Sequence, residues 1–338
     1  MKQGAPNSMR SRFAGAAVLG AALLTIVAGT GARTLGQEVY PARTVTIVVP
    51  FVPGGTTDLL ARLLAARLEK RFGKAVVVEN KPGAGALTAA VAVARAPADG
   101  YTLMISPSSA LAANVTLYKK LPYDPVADFV PLALLVRTPF VLCVNPALAA
   151  KSVADLVQLA KDRPGELAFA SSGPGTPHHL FAELFKSLTG TALTHVPYKG
   201  AAPALNDVAA GHVQVIFTDV APALGLIQDG KLRPLAVTSK ARVAALPDTP
   251  PIADTIGEVD ATSWQMAIAP AATPSDVVTL LNREIGRIAT EPEVRAQAVA
   301  MGMLPVESSS TTELRAFVQS EITRWAGVVH KAGVAGSQ

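Results

Sequence analysis

One pattern recurs through this chain. A short β-branched or apolar run meets a turn rich in glycine, proline or hydroxyls, and an amphipathic helix starts at once. The first copy is Val45-Thr46-Ile47-Val48-Val49, then Pro50-Phe51-Val52-Pro53-Gly54-Gly55-Thr56-Thr57-Asp58. Leu59, Leu60, Leu63, Leu64 and Leu68 follow at helical spacing. The second is Ala75–Glu79, a turn over Asn80-Lys81-Pro82-Gly83-Ala84-Gly85-Ala86, and a small-residue helix to Ala96. A third strand, Tyr101–Ile105, ends in Ser106-Pro107-Ser108-Ser109. Alternation of this kind predicts a parallel sheet with helices on its faces, and ligands at the carboxyl ends of its strands. A glycine turn lets a ligand approach the backbone. A helix start offers unpaired N–H groups and a positive dipole end. Together they suit an anion.

The pattern restarts further on, which predicts a second lobe. The apolar run Leu132–Val144 leads to Asn145-Pro146, where a crossover is expected. Ser152 caps a helix through Lys161. Then come Leu167–Ala170 with its turn Ser171-Ser172-Gly173-Pro174-Gly175-Thr176-Pro177 and a helix from His178 to Leu188. Leu193–Val196 leads through Pro197-Tyr198-Lys199-Gly200 to a helix over Ala201–Ala210, and Val213–Phe217 ends in Thr218-Asp219. After Leu232–Val237 and the stiff connector Leu246–Pro251, the remainder reads as helical. Thr273 is expected to cap a helix with Pro274 at its first position. Ser310-Thr311-Thr312-Glu313 is a capping-box signature that opens a closing helix.

Composition narrows the classes. Half of the 338 residues are hydrophobic and 16% are charged, which excludes a disordered chain. Residues 1–32 read as a secretory signal: Lys2, Arg10 and Arg12, an apolar run from Ala14 to Ala28, then small residues. The mature chain is expected to begin between residues 33 and 38. Removing the three signal cations lowers the formal charge from +5 to +2, too little to argue for nucleic acid. No later run is long and apolar enough to span a bilayer. The single cysteine, Cys143, lies in an apolar strand and has no partner for an internal disulfide.

Chemistry-bearing patterns are sparse. His178 and His179 are adjacent on a helix start and point about 100° apart, so they do not make a metal pair. No Gly-x-Ser-x-Gly elbow, Walker motif or full dinucleotide fingerprint is present. No catalytic residue, metal or cofactor is expected. Tyr198-Lys199 and Asp219 are polar residues at strand ends in the second lobe, and Tyr198, an aromatic in a Gly-Pro turn, is read as facing the cleft.

The ordered set of turns resembles one family closely. Phe51–Asp58 and Glu79–Gly85 look like its two first-lobe turns. Asp99–Leu103, Leu121–Pro125, Pro197–Gly200, Ser263-Trp264, Ala269-Pro270 and Thr273-Pro274 fall in the matching order, over about residues 40 to 334. The family is the Bug proteins, the TctC-like receptors of tripartite tricarboxylate transporters. The resemblance implies a two-lobed α/β binding protein of the periplasmic type II class, with a mainly parallel sheet in each lobe and the ligand cleft between. It implies a discontinuous first lobe at 40–142 and 256–338, a second at 143–255, and a hinge near 142–146 and 252–262. It also implies a small organic anion, held by main-chain groups of the first-lobe turns. Carried onto this chain, the grip falls on Gly54, Gly55, Asp58, Gly83, Ala84 and Gly85, and the second-lobe wall on Thr176, His178, Tyr198 and Asp219. Phe51, Thr57, Ser106 and Ser172 complete the candidate set. Asp58 is expected to orient the first turn without touching the anion. Ala86 and Gln265-Met266 depart from the family pattern. The expected product is a periplasmic monomer that serves membrane transporter subunits or a sensor kinase. The rival reading is a secreted enzyme on a similar fold.

Overall fold

Beyond Met1, the computed structural model describes residues 40–257 and 261–338. The expected signal, its cleavage region and part of the expected second hinge (258–260) lie outside the described residues.

The first strand–turn–helix unit is β1 (Val45–Val49) and α1 (Thr56–Phe72); β2 (Val76–Asn80) and α2 (Leu87–Ala94) follow. Strand β3 (Thr102–Pro107) runs into a π-helical turn at Ser109–Ala113 and a short α3 (Asn114–Leu117). Next is a sixteen-residue strand, β4 (Phe129–Val144). The second set comprises α4 (Val153–Asp162), β5 (Ala168–Ser171), α5 (Pro177–Thr189), β6 (Thr194–Pro197), α6 (Ala201–Ala209), β7 (Val215–Asp219), α7 (Val220–Gln228) and β8 (Arg233–Val237). After α8 (Ala253–Ile256) come β9 (Thr262–Pro270), α9 (Ser275–Thr290), α10 (Pro292–Ala300), β10 (Leu304–Pro305) and α11 (Thr311–Lys331).

The strands form one sheet path, β2-β1-β3-β9-β4-β7-β5-β6, with β8 and β10 also paired to β4. Pairing is parallel within each set of βα units: β1 with β2 and β3, β5 with β6 and β7. It is antiparallel wherever β4 or β9 takes part. The sheet is therefore mixed rather than mainly parallel, because the two crossing strands run against their neighbours. Strand β9 is a further difference from the sequence reading, which made everything after the connector helical. Its residues Ser263–Pro270 are buried on both faces, so they carry no alternating pattern. Strand β4 changes partners along its length. It lies against β9 up to Pro139, and against β7 from Phe140 onward.

Three large apolar clusters cover the sheet, and a small fourth joins Leu60 and Val136 to Ala298 and Met303. One packs α1 and α9 on β1, β3 and β9. A second joins α2, α5 and α11 across both halves, with Trp264 and Trp325 fully buried. The third sets α6 and α7 on β7 and encloses Cys143, whose thiol burial pushes up. Two caps match and one does not. Ser152 Oγ accepts from Asp155 N–H, and Ser310 with Glu313 makes both bonds of the capping box. Thr273, however, bonds back to the Pro270 carbonyl, and Pro274 stands at the N-cap.

Candidate binding cleft

The turns of the two halves meet around a cavity whose empty space, part of it open to solvent, is about 380 Å³. Phe51, Gly55, Thr56, Thr57, Pro107, Ser263 and Gln265 line it from one side. Phe140, Ser172, Pro177, His178, Ala201 and Asp219 line it from the other. Four helices begin here. Gly55 is the N-cap of α1, and Asp219 is the N-cap of α7. Pro177 and Ala201 are the first residues of α5 and α6. Neither Gly55 nor Asp219 is capped by a side chain at its helix start, so first-turn N–H groups there are left for another partner. Among the described residues, no lysine or arginine lines the cavity. Any attraction for an anion here must therefore come from backbone N–H groups and helix dipoles.

The first turn is braced from behind. Asp58 is buried and accepts the Gly54 N–H (3.1 Å), two Arg62 donors (2.9 and 3.0 Å) and Asn80 Nδ2 (3.0 Å). Asn80 also donates to the Phe51 carbonyl, tying β2 to the same turn. Burial pushes the Asp58 carboxyl up, but these hydrogen bonds outweigh it and hold it below its usual range. Gly54 needs its missing side chain, since it sits at φ +94°. Thr57 Oγ1 donates to Gln265 Oε1 (3.3 Å), so β9 carries part of the same wall.

On the opposite wall His178 Nε2 lies 3.0 Å from Asp219 Oδ2. Phe140, at the point where β4 changes partners, packs edge-on against the His178 ring at 5.1 Å. Among the described residues, two fully buried polar atoms of the cavity lining have no hydrogen-bond partner: Thr56 Oγ1 and His178 Nδ1.

The adjacent histidines diverge as their spacing requires. His179 turns away from the cavity, and its Nδ1 accepts the Gly175 N–H (3.1 Å). Its ring stacks on His195 at 4.2 Å, and His195 stacks on Phe169 at 4.8 Å. His195 Nε2 is 2.6 Å from Ser171 Oγ, which in turn accepts the Gly173 N–H. Burial, with Lys186 nearby, lowers His179 to about 4. Burial and His179 lower His195 to about 4 as well. This stack fixes the loop Ser171–Gly175 from below.

Of the candidate residues, Phe51, Gly55, Thr57, Ser172, His178 and Asp219 line the cavity together. Gly54 and Asp58 stand just behind, as described. Gly83, Ala84 and Gly85 form a neighbouring turn that abuts the second half: a Cβ on Gly85 would lie 2.3 Å from the Pro174 carbonyl oxygen. Thr176 is spent on the Gly173 carbonyl, and Ser106 on the Pro107 carbonyl. Tyr198 directs its hydroxyl to Asp207 (2.6 Å) on α6, outside the cavity lining. Burial and that carboxylate raise it to about 12. The sequence reading missed Thr56, Pro107, Phe140, Pro177, Ala201, Ser263 and Gln265. Thr56 and Pro177 each adjoin a candidate at a helix start, and Ala201 opens the helix after the Pro197–Gly200 turn, which was the signal available. Phe140, Ser263 and Gln265 arrive on β4 and β9, whose place in the sheet the sequence does not announce.

Comparison with known proteins settles the family. The family model for the tripartite tricarboxylate transporter family receptor matches residues 60–334. The chain belongs to the tripartite tricarboxylate transporter receptor family. This receptor is 39% identical over 305 residues to Protein BugT of Bordetella pertussis, covering 89% of this chain and 93% of that one. Among solved structures it is similar to Rpa4515 of R. palustris with adipate: TM-score 0.85, 40% identity, 88% of this chain and 99% of that one. It is also similar to MatC from Rhodopseudomonas palustris with bound malate: TM-score 0.82, 32% identity, 86% and 100% of the two chains. Its fold is that of these periplasmic binding proteins, and the resemblance to Bug proteins read from the sequence is borne out.

Proposed function

We propose that this receptor captures a small organic anion bearing a carboxylate, in the periplasm, and delivers it to a tripartite tricarboxylate-type transporter. The observation that carries this reading is the convergence of four helix starts on one cavity that no lysine or arginine lines. Backbone N–H groups at helix starts hold a carboxylate through charge-assisted hydrogen bonds without a cationic side chain. The relatives support the class, since similar receptors hold adipate and malate. Export by a cleaved signal, action as a monomer and contact with membrane transporter subunits extend the same reading.

The test is a binding titration against a panel of small carboxylates. Gly55 has φ −89°, so valine is allowed by the backbone, and its side chain would enter the space beside Ala201. Gly55→Val is expected to weaken binding by about 2 kcal/mol, the worth of a charge-assisted hydrogen bond. Its melting temperature should stay near wild type. A folded Gly55→Val protein that binds like wild type would place the anion elsewhere.

A further inference from the structure

The cavity is chemically lopsided. One end is the start of α1, which presents backbone donors and the unpartnered Thr56 hydroxyl. The other end is the His178–Asp219 pair, both residues more than nine-tenths buried. Among the described residues, these are the only titratable side chains that line the cavity.

Their pairing sets what they offer. With Asp219 ionised and His178 as the neutral imidazole, Nε2–H donates to Asp219 Oδ2 and Nδ1, which has no partner among the described residues, is left as an acceptor. Asp219 Oδ1 accepts no hydrogen bond within the described residues, and a carboxylate has only acceptors to give. The far wall therefore presents two acceptors and a negative charge.

The helix dipoles there do not restore room for an anion. Asp219 stands at the N-cap of α7 and already places a negative charge on that helix start. Helix α5 opens on Pro177, which removes the first of its free N–H groups, and the start of α6 lies beside that of α1, where a Cβ on Gly55 would be 3.8 Å from Ala201 Cβ. A second carboxylate in the ligand would lie beside Asp219 with no lysine or arginine lining the cavity to offset it.

We infer that Asp219 and His178 select a ligand whose second polar group donates hydrogen bonds, such as an amide, hydroxyl or ammonium, over one with a second carboxylate. The inference rests on the carboxylate grip proposed for the start of α1. It makes this receptor's preferred ligand a monoanion or zwitterion with a donor at its far end. Specificity comes from what the far wall rejects as much as from what it binds.

The experiment titrates wild-type receptor with matched pairs of equal length: succinate against succinamate, glutarate against glutaramate, and adipate against its half-amide. For the chain length that fits, the half-amide should bind at least about tenfold more tightly, because like charges in a closed site are costly. Asp219→Asn turns the far wall neutral and supplies a donor. It should remove the preference or reverse it toward the dicarboxylate. A dicarboxylate that binds wild type as tightly as its half-amide overturns the inference and leaves the receptor reading intact. So does a half-amide preference that survives in Asp219→Asn. If no carboxylate of either kind binds, the receptor reading falls and this inference falls with it.

Discussion

At Gly85 two loops from opposite halves meet with no space for a methyl group. The residue sits at φ +61°, and the Pro174 carbonyl oxygen occupies the place its Cβ would take. Gly85→Ala must therefore strain its own backbone and part the loops. We expect it to lower stability by on the order of 2 kcal/mol in urea denaturation, and to weaken ligand binding as well. Unchanged values for both would show that the contact is slack. The residue scale is also where the sequence was most legible. Gly54 and Gly55 stand in the strand-to-helix turn that their residue types point to, whereas Asp58 and His178 came with the family resemblance. Tyr198 shows the limit. An aromatic residue in a Gly-Pro turn reads as cleft-facing, but Asp207, nine residues on, draws its hydroxyl onto α6. Nothing local distinguishes those two directions.

Among the elements, α5 shows what a pair of histidines does without a metal. His179 braces the Ser171–Gly175 loop only while its Nδ1 is unprotonated, since that atom accepts the Gly175 N–H. Both rings titrate near 6.5 when unfolded and near 4 when stacked, so between those values the unfolded chain binds more protons. Stability contributed by the stack is thus complete above about 6.5 and is lost as pH falls toward about 4. Urea midpoints at pH 7 and pH 5 should differ in that direction, and His179→Gln should flatten the difference. A variant as pH-sensitive as wild type would move the effect to other groups. Element boundaries followed the sequence where the signal was local. Strand β1, helix α1 and the α11 capping box lie where glycine, leucine spacing and Ser310/Glu313 put them. Strand β9 did not, because a strand buried on both faces has no period to read. That same miss hid Ser263 and Gln265.

For the molecule as a whole, the chain passes between the two halves at two places that touch. Strand β4 changes partners at Pro139–Phe140, and the return path runs beside it. Thr238 joins the two: its Oγ1 accepts the Phe140 N–H (2.9 Å) and donates to the Ala261 carbonyl (2.5 Å). We propose that the halves close on the ligand about this point. Small-angle scattering should then give a smaller radius of gyration with a saturating ligand than without, and Thr238→Val should blunt the change. An unchanged radius at saturation would argue for a rigid receptor.

The position of β9 has a consequence for when the molecule is able to exist. It fills the gap between β3 and β4, yet it is made only after residue 261. Until it arrives, both neighbours present an open edge, and the largest single set of pairings along β4 is missing. A chain ending at residue 261 holds eight of the ten strands. We expect it to be digested rapidly by a protease that spares the full chain; equal resistance would mean the earlier strands suffice. Folding is in this sense postponed until most of the polypeptide has been synthesised. For a protein proposed to be exported by a cleaved signal, the same delay would keep the sheet open until its late central strand has been made.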